Sequence, residues 1–344
     1  MWPKVSILIA ARDEEKVIGR LLSSLQKVRY PKNLLEILVI VDGSKDKTAQ
    51  IARSFKGVKV LEQKEPRKCK GEALNAALPL TTGEIIAVFD ADAIVSPNAI
   101  KAAVRNFKKA DVAAVVGPHY SYNCKSWVSK ACAIEMSIYN FVRELRAKFK
   151  RDVHIDGGNF YIRKEILEDL GGFDTETLLE DSELVFRLKL AKPQLKAIYE
   201  SNAIVYLQEP STLSAFIGQR QRWARGAIRL FKKYQGMRKQ SLWLATQGIH
   251  YYAAPFATAL SLSWLFLPFL SSSRILEILI PINIIVMIYA IFAAAALVKY
   301  KKASFIPYIP FWLNLSALEL FIFCKAAFDE FLNKEFTWFK TPRE

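Results

Sequence analysis

Cysteine is scarce in this chain and poorly spaced for either of its structural uses. Its four residues, Cys69, Cys124, Cys132 and Cys324, form no C-x-x-C pair and have no histidine at metal-ligand spacing. That excludes a zinc framework and a disulfide scaffold. Glycine-rich phosphate loops are missing too. The first apolar run leads into AARDEEKVIG, where a dinucleotide fold would carry G-x-G-x-x-G, and no P-loop occurs anywhere. A nucleotide would therefore be held by side chains, carboxylates prominent among them. Neither an internal repeat nor a low-complexity linker is present. No signal peptide precedes the first strand, so the polar part of the chain is expected to stay in the cytosol. Acidic residues are outnumbered, 33 against 49 basic, for a net charge of +16. Such a surplus suits nucleic acid, anionic lipid headgroups or phosphorylated ligands. The apolar character of the last third favours the latter two, and no nucleic-acid partner is expected.

Hydrophobicity is unevenly distributed. Residues 1–208 mix charged and apolar groups as a water-soluble fold does, and 209–240 form a basic amphipathic stretch. Residues 241–344 carry three long apolar runs, at 242–270, 275–298 and 303–325, the last with Pro307, Pro310 and Glu319 inside it. Runs of roughly 18 or more apolar residues are long enough to cross a bilayer. A buried core helix is the alternative, but three in succession favour the membrane, so a multi-pass protein of the cell membrane is expected. Lys232, Lys233, Arg238 and Lys239 before the first run, and Lys299, Lys301 and Lys302 after the second, fit a positive-inside arrangement. Either the proline-bearing third run is interfacial or re-entrant, or the long first run is a bent pair.

Residues 1–208 read as alternating α/β. VSILIA (5–10), LEILVIVD (35–42), VKVLEQ (58–63) and EIIAVFD (84–90) are short apolar runs of strand length. Between them, 14–25, 47–55 and 71–77 show helical spacing. This order predicts a mainly parallel sheet flanked by helices, with ligands at the carboxyl ends of its strands. Asp42 and Asp90 stand at two such ends.

Three constellations carry chemistry. Asp90-Ala91-Asp92 sets two carboxylates at a strand end, a costly arrangement unless a cation or hydrogen bonds compensate. Mg²⁺ or Mn²⁺, with diphosphate oxygens as further ligands, would do so. Glu180-Asp181 opens a predicted helix, where a carboxylate serves either as a cap or as a general base. Gln219, Arg222 and Trp223, spaced i, i+3 and i+4, share one helix face. Gln and Arg suit a diphosphate, and the Trp ring suits a sugar face. The surrounding helix, about 212–234, has an apolar stripe of Leu213, Phe216, Ile217, Ala224, Ala227, Ile228 and Phe231. Arg220, Arg225, Arg229, Lys232 and Lys233 lie around it, so it is expected to rest on anionic lipid; an ordinary packed surface helix is the alternative. A second amphipathic helix over 127–149 is either membrane-adjacent or core-facing.

Taken in order, these segments resemble the family 2 glycosyltransferases and their GT-A fold. The resembling segments are ILIAARDEEKVIGRLLSSL, VDGSKDKT, KGEALNAAL with TTGEIIAVFDAD, GGNFYIRKEILEDLGGFD and LLEDSELVFRLK. QRQRW resembles the signature of the membrane-bound, often processive subgroup that makes cellulose, chitin, hyaluronan and poly-N-acetylglucosamine. The resemblance implies that Ala10, Arg12, Glu14 and Asp42 line a nucleoside pocket, with Lys70 and Asn75 near the base or phosphates. It makes Asp90 a nucleotide contact and, with Asp92, a ligand of Mn²⁺ or Mg²⁺. Asp181 becomes the general base, oriented with the acceptor by Glu180. Gln219 and Arg222 hold the diphosphate, and Trp223 the acceptor. WFKTPR (338–343) resembles a tail that lies near the active site in several such synthases. Ala10 replaces the usual Pro, Asp13 the usual Asn and Leu179 the Thr often seen there.

The expected reaction is an inverting, metal-dependent transfer from a nucleoside-diphosphate sugar, UDP favoured and GDP possible, to a saccharide or lipid-linked acceptor at the membrane. A β-linked polysaccharide or oligosaccharide is the expected product. Transfer of one sugar to a polyprenyl phosphate or other lipid is the alternative, and a non-catalytic membrane nucleotide-sugar sensor the second.

Overall fold

The computed structural model describes residues 2–149, 153–155, 157–234, 273–334 and 341–343. The apolar run at 242–270 and residues 338–340 of the tail lie outside them. The chain divides into two compact units. The first comprises Met1–Tyr122, Val142–Gln208 and Arg343–Glu344; the second comprises Asn123–Phe141 and Glu209–Pro342.

The first unit is built on β1 (Val5–Ala11), β2 (Leu35–Asp42), β3 (Val58–Gln63), β4 (Ile85–Phe89), β6 (Val112–Val116), β8 (Asn159–Arg163) and β9 (Lys196–Tyr199). These strands form one sheet in the order β3-β2-β1-β4-β8-β6-β9. Pairing is parallel from β3 through β4, antiparallel on both sides of β8, and parallel again between β6 and β9. β1 and β4 are buried almost throughout, because a sheet with both faces covered needs continuous apolar runs. Parallel registers, Val5 with Leu35 and with Ile85, bring the carboxyl ends of β1, β2 and β4 to one edge. Asp42 ends β2 there, and Asp90 directly follows β4. A smaller sheet joins β5 (Ile94–Val95), β10 (Val205–Leu207) and β7 (His119–Ser121).

The first helix, α1 (Ile18–Gln26), starts four residues later than the apolar spacing suggested. The backbone explains the delay. Asp13 has φ +53°, a left-handed conformation that Asp and Asn tolerate better than other side-chained residues. The amide N–H groups of Glu14 and Glu15 donate to Thr48 Oγ1 (2.7 Å) and Asp46 Oδ2 (3.0 Å). Glu14 and Glu15 are thus anchored to Thr48, the first residue of α2 (Thr48–Arg53), and to Asp46 just before it. Further helices that position the site are α3 (Lys70–Ala77) and α7 (Glu180–Ala191), with α4 (Ala99–Val104) and α6 (Lys164–Asp169) also covering the sheet.

Long helices dominate the second unit: most of α5 (Trp127–Lys148), α8 (Leu213–Lys233), α9 (Ser273–Lys299) and α10 (Ile309–Phe331). Thr212 caps α8, its hydroxyl accepting from the Ala215 N–H at 3.2 Å. The expectation that its basic residues surround a lipid-facing stripe needs correction for two of the five, Arg220 and Arg225, since Lys232 and Lys233 are exposed. Arg220 and Arg225 are buried, whereas the apolar Leu213 and Phe231 are 41% and 56% exposed. Glu135 of α5 and Glu319 of α10 take Arg220, the latter at 2.7 Å. Arg225 bonds Glu330 of α10 at 2.5 Å. Acids on neighbouring helices therefore draw these cations inward. Among the described residues one stretch of 29, Ala303–Phe331, is long and apolar enough to cross a membrane, with mean hydropathy 1.5 over an 18-residue window. It opens with a 3₁₀ segment, Ala303–Tyr308, that contains Pro307.

Candidate active site

The carboxyl edge of the sheet gathers Asp90, Glu180 and Asp181 around one lysine, with Asp92 two residues beyond Asp90. Lys70, the first residue of α3, places Nζ 2.6 Å from Asp90 Oδ1 and 3.4 Å from Glu180 Oε1. Asp181, beside Glu180 at the start of α7, accepts from the Gly157 N–H through Oδ2 and from the Ser182 N–H at 2.7 Å through Oδ1. Asp92 Oδ2 accepts from the Gln208 N–H at 3.2 Å and from Arg343 Nη1 at 2.7 Å. α3 can come this close because position 71 is glycine. A Cβ there would meet the Asp174 carbonyl oxygen at 2.0 Å.

Gly157 and Gly158 let the backbone lie directly against these carboxylates. A Cβ at 157 would stand 2.9 Å from Asp181 Oδ2 and 3.2 Å from Lys70 Nζ. One at 158 would stand 2.8 Å from Asp90 Oδ2, and Gly158 has φ +127°. Backbone geometry and the near approach both require glycine there.

The charges do not balance, and the titration of the groups reflects it. Burial alone would lower the Lys70 ammonium, but Asp90 and Glu180 outweigh it and hold the group protonated well above the usual lysine range. Burial works against the charged form of Asp90 also, yet Lys70 wins and keeps that carboxyl below the ordinary range. Burial pushes Glu180 upward, opposed by Lys70 and reinforced by Asp181. Asp92 is likewise raised by burial, with Arg343 opposing and Asp90 adding to the effect. Close carboxylates with pKa values pushed in opposite directions mark sites of acid–base or cation chemistry.

The ends of β1 and β2 form a separate cluster. Arg12 donates through Nη2 to Asp42 Oδ2 and to the Arg67 carbonyl (2.7 Å), and through Nε to the Asp42 carbonyl (2.9 Å). The Arg67 N–H reaches Asp42 Oδ1 at 3.0 Å. Ala10 pairs with Ile40 in the β1–β2 ladder, and Glu14 Oε2 stands 3.3 Å from Arg343 Nε. Asn75 faces neither cluster. Its amide clamps the backbone of Phe173, with Nδ2 donating to the carbonyl and Oδ1 accepting from the N–H, both at 2.7 Å.

Residues 3–226 match the family described as "Glycosyltransferase like family 2". The chain belongs to glycosyltransferase family 2. A beta-monoglucosyldiacylglycerol synthase of Trichormus variabilis is 35% identical to this glycosyltransferase over 238 residues, 67% of this chain and 50% of the relative. A poly-beta-1,6-N-acetyl-D-glucosamine synthase of Staphylococcus epidermidis is 28% identical over 270 residues, 76% of this chain and 63% of the relative. The chain thus spans about half the length of the first of these relatives. In structure it is similar to a mannosyltransferase from Pyrobaculum calidifontis solved with GDP-Man and Mn²⁺. The TM-score is 0.68 at 23% identity, covering 97% of this chain and 89% of that one. At that identity the likeness speaks for the GT-A fold.

Gln219, Arg222 and Trp223 of the glycosyltransferase belong to the second unit, all partly buried on α8. The Arg220 guanidinium lies 4.2 Å from the Trp223 ring centroid, within cation–π range. Sequence reading missed Arg67, Gly158 and the Gln208 N–H as parts of the site. The Gly157-Gly158 pair, just before a strand, was the one signal that could have flagged the close approach of backbone to the carboxylates.

Proposed function

We propose that this family 2 glycosyltransferase moves one sugar from a nucleoside-diphosphate donor to a hydroxyl acceptor with inversion, at a membrane surface. The observation that carries the reading is the Lys70–Asp90–Glu180–Asp181 group at the carboxyl edge of the sheet, with the Gly157 N–H on Asp181 and the Asp90 side chain still 35% exposed. Asp181 takes the proton from the acceptor hydroxyl as that oxygen attacks the sugar C1. The Gly157 and Ser182 N–H groups hold its carboxylate in one orientation. Lys70 keeps Asp90 charged and in place. The proposed roles of Gln219, Arg222 and Trp223, at the diphosphate and the acceptor, rest on the sequence motif alone.

A divalent cation fits the donor set. Among the described residues no group of three or more His, Cys, Asp or Glu side chains gathers to hold a metal. Asp90 and Asp92 supply two hard carboxylates just past the end of β4, and diphosphate oxygens would complete the shell, as Mg²⁺ and Mn²⁺ prefer. Bound there, the cation would offset charge on the departing nucleoside diphosphate.

For the acceptor, the 35% identity to a synthase of beta-monoglucosyldiacylglycerol supports a lipid hydroxyl, and the 28% identity to a poly-beta-1,6-N-acetyl-D-glucosamine synthase supports a growing saccharide. The apolar stretch Ala303–Phe331 supports membrane attachment under either reading. The test is a screen of UDP- and GDP-sugars against diacylglycerol, polyprenyl phosphate and oligosaccharide acceptors, with the protein in lipid vesicles. The expected result is nucleoside diphosphate release matched by an acceptor heavier by one sugar, or by a ladder of sugars if the product is a polymer. Failure of every donor to give either product overturns the reading.

A further inference from the structure

We propose that Arg343 occupies the cation position on Asp92, so that a divalent metal and this guanidinium compete for one carboxylate oxygen. The inference rests on the reading of Asp92 as a metal ligand given above.

Asp92 is 4% exposed, and its Oδ2 already accepts two donors: the Gln208 N–H at 3.2 Å and Arg343 Nη1 at 2.7 Å. A cation coordinated by the same oxygen would meet a fixed positive charge within contact distance. At that separation, like charges in a largely buried site repel strongly. The guanidinium cannot escape by losing its proton. Metal on this oxygen therefore requires Arg343 to leave it.

Arg343 is held there by more than Asp92. Its Nε stands 3.3 Å from Glu14 Oε2, and its carbonyl accepts from Lys16 Nζ at 3.1 Å. These ties bind a residue near the end of the chain to the β1–α1 turn and to a carboxylate 251 positions away in sequence. A merely structural strap would not need to end on the less exposed carboxylate of the Asp90–Asp92 pair.

A nucleoside diphosphate changes the balance. It brings negative oxygens that can ligate the metal, and the planar fork of an arginine matches phosphate as well as carboxylate. Arg343 then has a second anion to turn to, and Asp92 is released. Donor and metal should accordingly load together: each tightens the other, because each helps to displace the same internal cation.

The experiment measures Mn²⁺ binding to the full chain in detergent, from the free-ion EPR signal, with and without UDP or GDP. Wild type is compared with Arg343→Gln, Arg343→Lys and Asp92→Asn, each checked for an unchanged melting profile. Without nucleotide, Arg343→Gln should bind Mn²⁺ about tenfold more tightly than wild type, within the range of single coupling steps. Arg343→Lys, which keeps the charge, should stay within about threefold of wild type by the same scale. Adding nucleoside diphosphate should narrow the gap between wild type and Arg343→Gln. Equal Mn²⁺ affinity of wild type and Arg343→Gln without nucleotide, or weaker binding by Arg343→Gln, overturns the competition. Retention of wild-type Mn²⁺ binding by Asp92→Asn, or no Mn²⁺ binding by any variant even with nucleotide, instead overturns the metal reading on which it stands.

Discussion

Two cations, the half-buried Lys70 in the first unit and the buried Arg220 in the second, each stand between carboxylates. Around Lys70 are Asp90 at 2.6 Å, Glu180 at 3.4 Å, and Asp181 close enough to raise its pKa. One ammonium faces three acids, and the Asp90 side chain stays 35% exposed. Around Arg220 are Glu135 and Glu319, with the rings of Phe216 and Trp223 at 4.9 and 4.2 Å. The guanidinium there has several donors for its two acids, and aromatic faces close off the rest. The same ingredients give an under-compensated acidic site in one place and a filled clamp in the other. The difference lies in the surplus of negative charge and in whether space remains beside it.

The sharpest way to break this comparison is to remove the proposed base. Asp181→Asn keeps the shape and the partner N–H groups but cannot accept a proton. Sugar transfer should fall by about 10³-fold, within the usual range for a positioned base, while donor affinity measured by calorimetry stays close to wild type. Near-normal turnover would move the base elsewhere and reduce Asp181 to a helix-start carboxylate.

The second unit predicts a stability effect instead. Arg220→Met leaves Glu135 and Glu319 buried without their cation, which should cost about 3–5 kcal/mol in chemical denaturation. Replacing all three, Arg220→Met with Glu135→Leu and Glu319→Leu, should restore stability to within about 1–2 kcal/mol of wild type, since an apolar trio needs no compensation. If the triple variant is as unstable as the single one, the clamp does more than balance charge.

Glycine positions sharpen the contrast at smaller magnitude. Gly158→Ala meets both the left-handed backbone and Asp90 Oδ2, whereas Gly57, with φ +80°, has open space for 4 Å around the point where a Cβ would stand. Each substitution should cost about 1–3 kcal/mol of backbone strain. Only Gly158→Ala should also lower transfer, by about tenfold, the equivalent of about 1.4 kcal/mol in barrier height. Equal activity in the two variants would show that the space beside Asp90 is not used.

Much of the sheet edge was legible because apolar runs of strand length end in acids. Asp42 and Asp90 follow from β2 and β4 without any knowledge of tertiary contacts. Pairings across long separations were not legible. Lys70 meets Glu180, and Asp92 meets Arg343, through loops whose paths no periodicity encodes. The basic face of α8 misled for a related reason: spacing shows which residues share a face, but not that Glu135, Glu319 and Glu330 wait opposite it. The late start of α1 was equally hidden, since Thr48 and Asp46 capture the Glu14 and Glu15 amides from another segment.

The mildest prediction asks whether a filled carboxylate site in the first unit behaves as the clamp does. Glu36 is 6% exposed. It accepts from Ser6 Oγ at 2.5 Å, Lys59 Nζ at 2.7 Å and the Thr82 N–H at 2.9 Å. Burial favours its neutral form, but Lys59, Ser6 and Thr82 together outweigh that and lower its pKa from the ordinary 4.5 to about 2. A folded-state pKa below the unfolded one stabilises the fold above the unfolded value, and the gain is lost as pH falls toward the folded value. The loss should therefore run between about pH 4.5 and pH 2. Because the Lys59 end is exposed, its size should be about 1–2 kcal/mol. Glu36→Gln should flatten this part of the melting-temperature profile relative to wild type. A wild-type profile already flat over that interval would mean that the three donors hold Glu36 no better than water does.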